Sequence, residues 1–197
     1  MSKNLPNRAG MLVLAAMAAC ALAAPSAGSA ASWSAVGSTH VLDASTFAFF
    51  AGGAITAGAT CTTARFHTHV QSGAVLTITG ATFSGCTGTG GITACSAVVT
   101  ATKLPWSATA IASNNLRIDG FHIGANFTGA SCPLPTTATV TGSIIGSPSS
   151  STWDFFSHTM TFNHATGLST HFGAGVGTFP TTATTALRDT TQTLTVT

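Results

Sequence analysis

The sequence predicts an all-β fold: a single antiparallel β-sandwich or barrel, stapled by disulfides, that follows a cleaved signal peptide. Three observations support this prediction. Short runs rich in Thr, Val, Ile and Phe recur along the chain, and Gly, Pro, Ser and Asn separate them. No segment beyond residue 31 shows the period of an amphipathic helix. That part of the chain also keeps an even number of cysteines, as disulfide-linked domains do.

The strand-like runs follow one another at intervals of about ten residues, a spacing typical of sandwiches and barrels. The last run alternates between polar and apolar residues, which predicts a paired strand at that point of the chain. Pro105 disfavours a helix before Trp106 and predicts that a strand begins there. The predicted runs are 45–52, 62–70, 74–85, 96–102, 115–123, 137–145, 153–162 and 191–197.

The beginning of the chain has the pattern of a secretory signal peptide. Lys3 and Arg8 supply a short basic start, and an apolar run covers residues 10–24. Small residues that suit cleavage then lie around Ala30 and Ala31. These features predict that the protein is exported.

The predicted domain organisation is therefore a signal peptide over residues 1–31 and a single all-β domain over residues 32–197. The predicted location is secreted or extracellular. An alternative is a lipid anchor on Cys20, because the residues before it loosely resemble a lipoprotein box. In that case the protein would stay at the cell surface.

The cysteines of the predicted domain are Cys61, Cys86, Cys95 and Cys132. In an exported chain this even number indicates two disulfides, which four cysteines can form in three ways. The Gly-rich stretch between Cys86 and Cys95 can turn back on itself, so the sequence favours Cys86–Cys95 together with Cys61–Cys132. No Cys-x-x-Cys pair is present, which argues against a structural zinc site.

The predicted domain carries no formal net charge. Its basic residues are Arg65, Lys103, Arg117 and Arg188, and its acidic residues are Asp43, Asp119, Asp154 and Asp189. A neutral surface argues against nucleic acid and anionic membranes as partners. A net charge near zero also promotes association, so self-association is a possible partnership. No segment of the domain is predicted to span a membrane.

The stretch ARFHTHV (64–70) is the strongest candidate for a metal site. If it is a strand, one face carries Cys61, Thr63, Arg65, His67 and His69, and the other carries Thr62, Ala64, Phe66, Thr68 and Val70. His67 and His69 then project side by side, as a His-x-His pair does in many Zn and Cu sites. However, no carboxylate lies nearby in the sequence, and a buried Phe66 face explains the pattern without a metal. We therefore assign no metal site and keep His67 and His69 as candidate ligands.

Motifs for catalysis are lacking in the sequence. No G-x-S-x-G nucleophile elbow is present, and the four aspartates are scattered rather than paired. The Gly-rich stretch GTGG (88–91) has neither a following Lys nor a helix, so it does not predict a phosphate site. We predict that the protein is not an enzyme, has no catalytic residues and uses no cofactor.

Several segments in succession resemble the secreted protein activators of alkane oxidation, which are small exported bacterial proteins. The matching segments lie between residues 45 and 145 and include CTTARFHTHV, TITGATFSGC, ATKLPWSATA, LRIDGFHIG, GASCPLP and TATVTGSI. The LPW turn (104–106) and the placement of the cysteines are the most specific of these features. The histidines of FHTHV and the residues after 150 have no counterpart in this pattern.

The resemblance implies a protein that helps cells to disperse or take up insoluble alkanes. The composition agrees, because an uncharged surface of hydroxyls and methyls adsorbs to oil with little charge desolvation. We therefore expect a secreted, non-enzymatic protein whose partner is a hydrophobic or hydrocarbon surface. The alternatives are a structural subunit of a cell-surface coat or fibre and a secreted protein that binds metal through histidines.

Overall fold

The computed structural model describes residues 31–52, 56–112, 115–133, 136–145, 151–154, 159–173, 177–191 and 193–194. The predicted signal peptide, up to residue 30, and the candidate lipid anchor Cys20 lie outside these residues. Where the chain is described, its regular structure is entirely β. The all-β prediction is therefore confirmed, and of the two predicted architectures the protein adopts the barrel.

Eleven strands make up the regular structure of the described residues. They are β1 (Thr39–Ala44), β2 (Phe47–Ala51), β3 (Ala57–Val70), β4 (Val75–Gly90), β5 (Ser96–Ala101), β6 (Trp106–Ala112), β7 (Asn115–Thr128), β8 (Thr136–Ile145), β9 (Ser151–Asp154), β10 (Thr159–Phe172) and β11 (Gly177–Asp189). As predicted from Pro105, a strand begins at Trp106.

All the strands belong to one antiparallel sheet that closes into a barrel with eight positions. In order around the barrel, the positions are β1 with β2, β3, β4, β5 with β6, β7, β8 with β9, β10, and β11. The sheet closes because β11 pairs with both β1 and β2. Closure leaves each of these positions paired on both sides.

Three positions of the barrel contain two short strands in succession. β1 and β2 are separated at residues 45–46, and both pair with β3 and β11. β5 and β6 are separated at residues 102–105, where Lys103 has φ 52° and Pro105 lacks a backbone N–H. Both β5 and β6 nevertheless pair with β4 and β7, so the interruption does not open the sheet.

Aromatic side chains fill the interior at mid-height. Phe47 on β2 and Phe121 on β7 start from opposite positions of the barrel, yet their ring centroids are only 6.3 Å apart. Trp106 packs against Phe121 at 4.6 Å and against Phe66 at 6.1 Å. Because rings from facing walls touch, the barrel at this level is a packed core rather than a ligand-binding lumen.

The disulfide connectivity favoured from the sequence is wrong. The bridges are Cys61–Cys86 and Cys95–Cys132, not Cys86–Cys95 and Cys61–Cys132. The first follows from register, because Cys61 of β3 lies directly opposite Cys86 of β4. The second forms because Ser96 pairs with Thr128, which brings the start of β5 and the end of β7 to the same end of the barrel. The prediction that all four cysteines form disulfides is confirmed.

Two predicted strand runs were placed wrongly. The run 153–162 crosses a hairpin, since Asp154 of β9 pairs with Thr159 of β10, and residues 155–158 lie outside the described residues. In the run 191–197, the described residues 191, 193 and 194 are not in a strand. The strand that closes the barrel is β11, which precedes them, and Leu194 folds back to be fully buried.

Candidate functional site

The ARFHTHV stretch forms the second half of β3. Phe66 is 1% exposed and contacts the aromatic core, whereas His67 is exposed and His69 is half-buried. The predicted alternation therefore holds from Ala64 to Val70. It fails before that point, because Cys61 is buried although the alternation placed it on the polar face.

The break in alternation lies at the Thr62–Thr63 pair, where both residues are exposed. Two consecutive outward-facing residues reverse the two faces of the strand, without a shift in its register to β4 at this point. This reversal lets Cys61 and Phe66 both point inward, although regular alternation would place them on opposite faces. The alternation of polar and apolar residues in the sequence did not predict this change of faces.

The two histidines of this stretch have no ligand-bearing neighbours across the sheet. His67 is flanked in register by Val41 and Gly80, and His69 by Thr39 and Thr77. Within the described ranges, no group of three or more His, Cys, Asp or Glu side chains is placed to hold a metal ion. A site here would have to rely on the two imidazoles alone.

Arg65, from the same face, forms a bidentate ion pair with Asp43 of β1. Its Nε donates to Asp43 Oδ1 at 2.7 Å and its terminal nitrogen donates to Oδ2 at 2.9 Å. The hydrogen bond from Arg65 lowers the pKa of the Asp43 carboxyl, and the carboxylate raises the pKa of Arg65. The pair therefore stays ionised but neutralises itself.

A depression of the outer surface, of about 460 Å³, lies beside this pair. Phe83 lines it together with Arg65 and Asp43, and the hydroxyls of Thr63 and Ser84 hydrogen-bond to each other across it. The Arg65–Asp43 ion pair and the Thr63 and Ser84 hydroxyls are thus already engaged with one another. They are therefore not free to converge on a ligand, as the polar groups of a catalytic pocket do.

A second polar cluster, Ser38–His40–Asp189, lies at the barrel end where β1 begins and β11 ends. His40 Nε2 is 2.6 Å from Ser38 Oγ, and His40 Nδ1 is 3.3 Å from Asp189 Oδ2. His40 is 3% exposed and Asp189 is fully buried. The order serine, histidine, aspartate matches the arrangement of a hydrolase triad.

Hydrogen bonds in the cluster indicate a structural role instead. The Ser38 hydroxyl donates to the Ala35 carbonyl, so its proton is directed away from His40. The nearby backbone N–H groups of Gly37 and Ser38 are also used, by Val70 O and Ala35 O respectively. An acyl-transfer site needs donors aimed at an oxyanion, and these donors are already engaged.

Asp189 anchors the segment that follows β11. Its carboxylate accepts hydrogen bonds from the backbone N–H groups of Thr191, Thr193 and Leu194 at 2.9–3.0 Å and from the Thr191 hydroxyl at 2.8 Å. Burial alone would raise the pKa of Asp189, but these hydrogen bonds lower it below its usual value. This cluster was not predictable from the sequence, because no local motif links position 40 to position 189.

Arg117 and Asp119 form a second exposed ion pair. Arg117 Nε donates to Asp119 Oδ1 at 2.7 Å, and the Ser143 hydroxyl donates to the same oxygen at 2.6 Å. Burial alone would raise the pKa of Asp119, but these two bonds lower it. Burial, aided by the nearby charge of Lys103, lowers the pKa of His122. The outer wall is therefore a surface of hydroxyls and methyls with few uncompensated charges.

The described residues contain no helix of the length and hydrophobicity needed to cross a membrane. The chain matches no protein-family model, no curated protein and no solved structure. The resemblance to the activators of alkane oxidation therefore remains a prediction from the sequence.

Proposed function

We propose that the protein is a secreted, non-enzymatic protein that adsorbs at hydrophobic interfaces through the outer wall of its barrel, and so aids the dispersal or uptake of hydrocarbons such as alkanes. The observation that carries the proposal is the division of the molecule into a filled interior and a nearly uncharged exterior. Phe47 and Phe121 meet across the barrel, so the working surface is the outside.

Low charge favours adsorption because each ion that leaves water adds a desolvation penalty. On the outer wall, Asp43 pairs with Arg65 and Asp119 with Arg117. Much of the remaining outward surface consists of threonine, whose methyl group contacts apolar material while its hydroxyl keeps partners in water or on the sheet.

Rigidity supports the same proposal. Proteins at an oil surface tend to unfold, because oil offers their apolar cores an alternative environment. Here the barrel is closed and is held by Cys61–Cys86 and Cys95–Cys132. Disulfides persist in oxidising compartments, which fits export by the signal peptide predicted for residues 1–31.

The alternatives receive less support. A coat or fibre built by strand addition needs a free sheet edge, and the closed barrel pairs both sides of its eight positions. A histidine metal site at His67 and His69 has only two ligands from the described residues. We therefore keep the interfacial function as the proposal.

The test is the interfacial tension of a hexadecane–water boundary in the presence of the purified, oxidised protein. We expect the protein to lower the tension and to stabilise an emulsion. A variant with Thr87→Lys, Val98→Lys and Thr128→Lys adds three charges at exposed positions of β4, β5 and β7, and should adsorb more slowly.

The matched control carries Thr87→Ser, Val98→Thr and Thr128→Ser, which change the same positions without adding charge. It should behave as the parent does, and all three proteins should have similar melting temperatures. If the parent leaves the tension unchanged, or if the lysine variant adsorbs as well as the parent, the proposal is wrong.

A further inference from the structure

One aromatic ring stands out from the outer wall. Phe50, on the outward side of β2, is 38% exposed, whereas Phe47 and Phe49 on the same strand are 1% exposed. Its register partners are Gly58 on β3 and Thr182 on β11. Because these neighbours are small, they do not cover the ring.

The small neighbour at position 58 is required by the backbone. A Cβ on Gly58 would collide with the carbonyl oxygen of Phe49. The close approach of β2 and β3 thus keeps this position free of a side chain. Phe50 protrudes beside a fixed gap in the outer wall.

Two depressions of the surface share the Phe50 ring as a wall. One, of about 320 Å³, is lined also by Ala48, His164 and Thr184, and the other, of about 290 Å³, by Gly52, Leu168 and Pro180. Thr182 lines both depressions.

The depressions follow from irregular pairing of β10 with β11. The register shifts between Phe162 and Ala165 and again between Ala165 and Leu168. His164 has φ 50° and Gly167 has φ 93°, both in the left-handed region. Bulges of this kind bend the strand and re-aim its side chains, which leaves hollows next to Phe50.

We propose that this face mediates a symmetric dimer, in which Phe50 of each copy inserts into a depression beside Phe50 of the other copy. A projecting ring next to a hollow is complementary to itself under a two-fold rotation, which is the geometry of an isologous interface. Aromatic side chains are enriched at the centres of such interfaces.

Charge and shape both favour a second copy as the occupant. Neither depression is lined by Asp, Glu, Lys or Arg, so two copies can meet here without burying like charges. Phe50 lines both hollows, and the edge of its ring reaches towards Gly90 of β4. A matching ring from another copy needs to fill only one hollow. This inference does not depend on the proposed function at oil surfaces.

The test is sedimentation velocity of the purified, oxidised protein from about 1 µM to about 1 mM, a range that covers weak to moderate affinities. We expect a monomer–dimer equilibrium in the parent. Phe50→Ser removes the ring and Thr182→Lys places a charge between the hollows. Each should raise the dissociation constant roughly tenfold or more.

Ile111→Ser is the matched control, because Ile111 is also a large exposed apolar side chain, 50% exposed, on β6. It should leave the dissociation constant unchanged. All three substitutions are at surface positions, and unchanged near-ultraviolet circular dichroism verifies the fold of each variant.

A photoreactive benzoylphenylalanine at position 50 supplies an independent readout. We expect it to crosslink to a second copy within residues 164–168 or 180–184. A parent that stays monomeric throughout, a Phe50→Ser variant that dimerises as well as the parent, or crosslinks confined to other regions would each overturn the proposal.

Discussion

Cys61 on β3 and Cys86 on β4 are direct partners across the antiparallel register, and a disulfide joins them. The other disulfide, Cys95–Cys132, ties the start of β5 to the segment after β7. Both bridges lie towards the same end of the barrel. The opposite end is closed instead by Trp33, whose indole N–H donates to Ala108 O, and by the buried Leu194.

The first prediction concerns the covalent map. Proteolysis without reduction should release one linked peptide pair containing Cys61 with Cys86 and another containing Cys95 with Cys132. Each bridge should stabilise the fold by about 2–4 kcal/mol, so reduction should lower the melting temperature markedly. A linked pair containing Cys86 with Cys95, or a free thiol in the denatured protein, would contradict the structure.

The second prediction separates the two faces of β3. Phe66→Ala should lower the free energy of unfolding by about 3–5 kcal/mol, because it leaves a cavity among Phe47, Phe83 and Trp106. The double change His67→Gln with His69→Gln should alter it by no more than about 0.5 kcal/mol. Urea unfolding of both variants measures the difference. Loss of a bound metal ion together with stability in the histidine variant would instead favour a metal site.

The third prediction concerns acid. The folded-state pKa of Asp189 is lowered, so its carboxylate stabilises the folded protein above the unfolded value of 3.8. This contribution is lost as the pH falls through the folded pKa. Asp189→Asn should therefore destabilise the protein by about 2–4 kcal/mol at neutral pH, since buried N–H donors lose a charged acceptor.

The matched control for Asp189→Asn is Asp43→Asn. It breaks an exposed ion pair, which is expected to contribute little to the free energy of unfolding at neutral pH. Urea unfolding from pH 7 down to pH 2 should show a shallower loss of stability below pH 4 for Asp189→Asn than for the parent. Parallel pH profiles for Asp189→Asn and the parent would indicate that Asp189 is not the group whose protonation lowers the stability.

The fourth prediction tests the close approach of β2 and β3. Gly58→Ala should destabilise the protein by about 1–3 kcal/mol, because the added Cβ meets the Phe49 carbonyl. Gly52→Ala is the control, since a Cβ there has no neighbour within 4 Å among the described residues. Equal melting temperatures for the two variants would show that the strands do not approach as described.

The fifth prediction concerns Ser38. Its hydroxyl proton is donated to Ala35 O, so a fluorophosphonate probe should not label it. Ser38→Ala should lower the free energy of unfolding by about 1 kcal/mol through the lost hydrogen bonds. Mass spectrometry after incubation with the probe gives the answer. Stoichiometric labelling at Ser38 that disappears in His40→Gln would identify a nucleophile and overturn the structural role given to the cluster.

The sequence predicted the fold class because composition and short-range alternation report strands directly. Phe66 and its flanking histidines were assigned to the correct faces from period alone. The disulfide connectivity was not predictable in this way, since it depends on which strands become neighbours and in what register. The short stretch between Cys86 and Cys95 favoured a bridge between these two, but the register of β3 and β4 places Cys61 directly opposite Cys86.

Long-range polar contacts were equally hidden from sequence reasoning. His40 and Asp189 meet only because the barrel closes, and neither carries a local motif that announces the other. The depressions beside Phe50 depend on bulges in β10, which add residues without changing the composition of the strand. Thus individual strands could be predicted from the sequence. The surfaces that form when the strands assemble could be described only from the structure.

Closure of the sheet through β1 and β11 has a kinetic consequence. The first described strand finds two of its neighbours, β3 and β11, at very different distances along the chain, and the pairing with β11 spans nearly the whole domain. Contacts of such large sequence separation slow folding, because the intervening chain must be ordered before they form. Until residues 177–189 have been synthesised and released, β1 and β2 lack their partner β11. The barrel is then open on this side, and its aromatic core is accessible to water. A nascent chain that still lacks β11 is therefore exposed to aggregation.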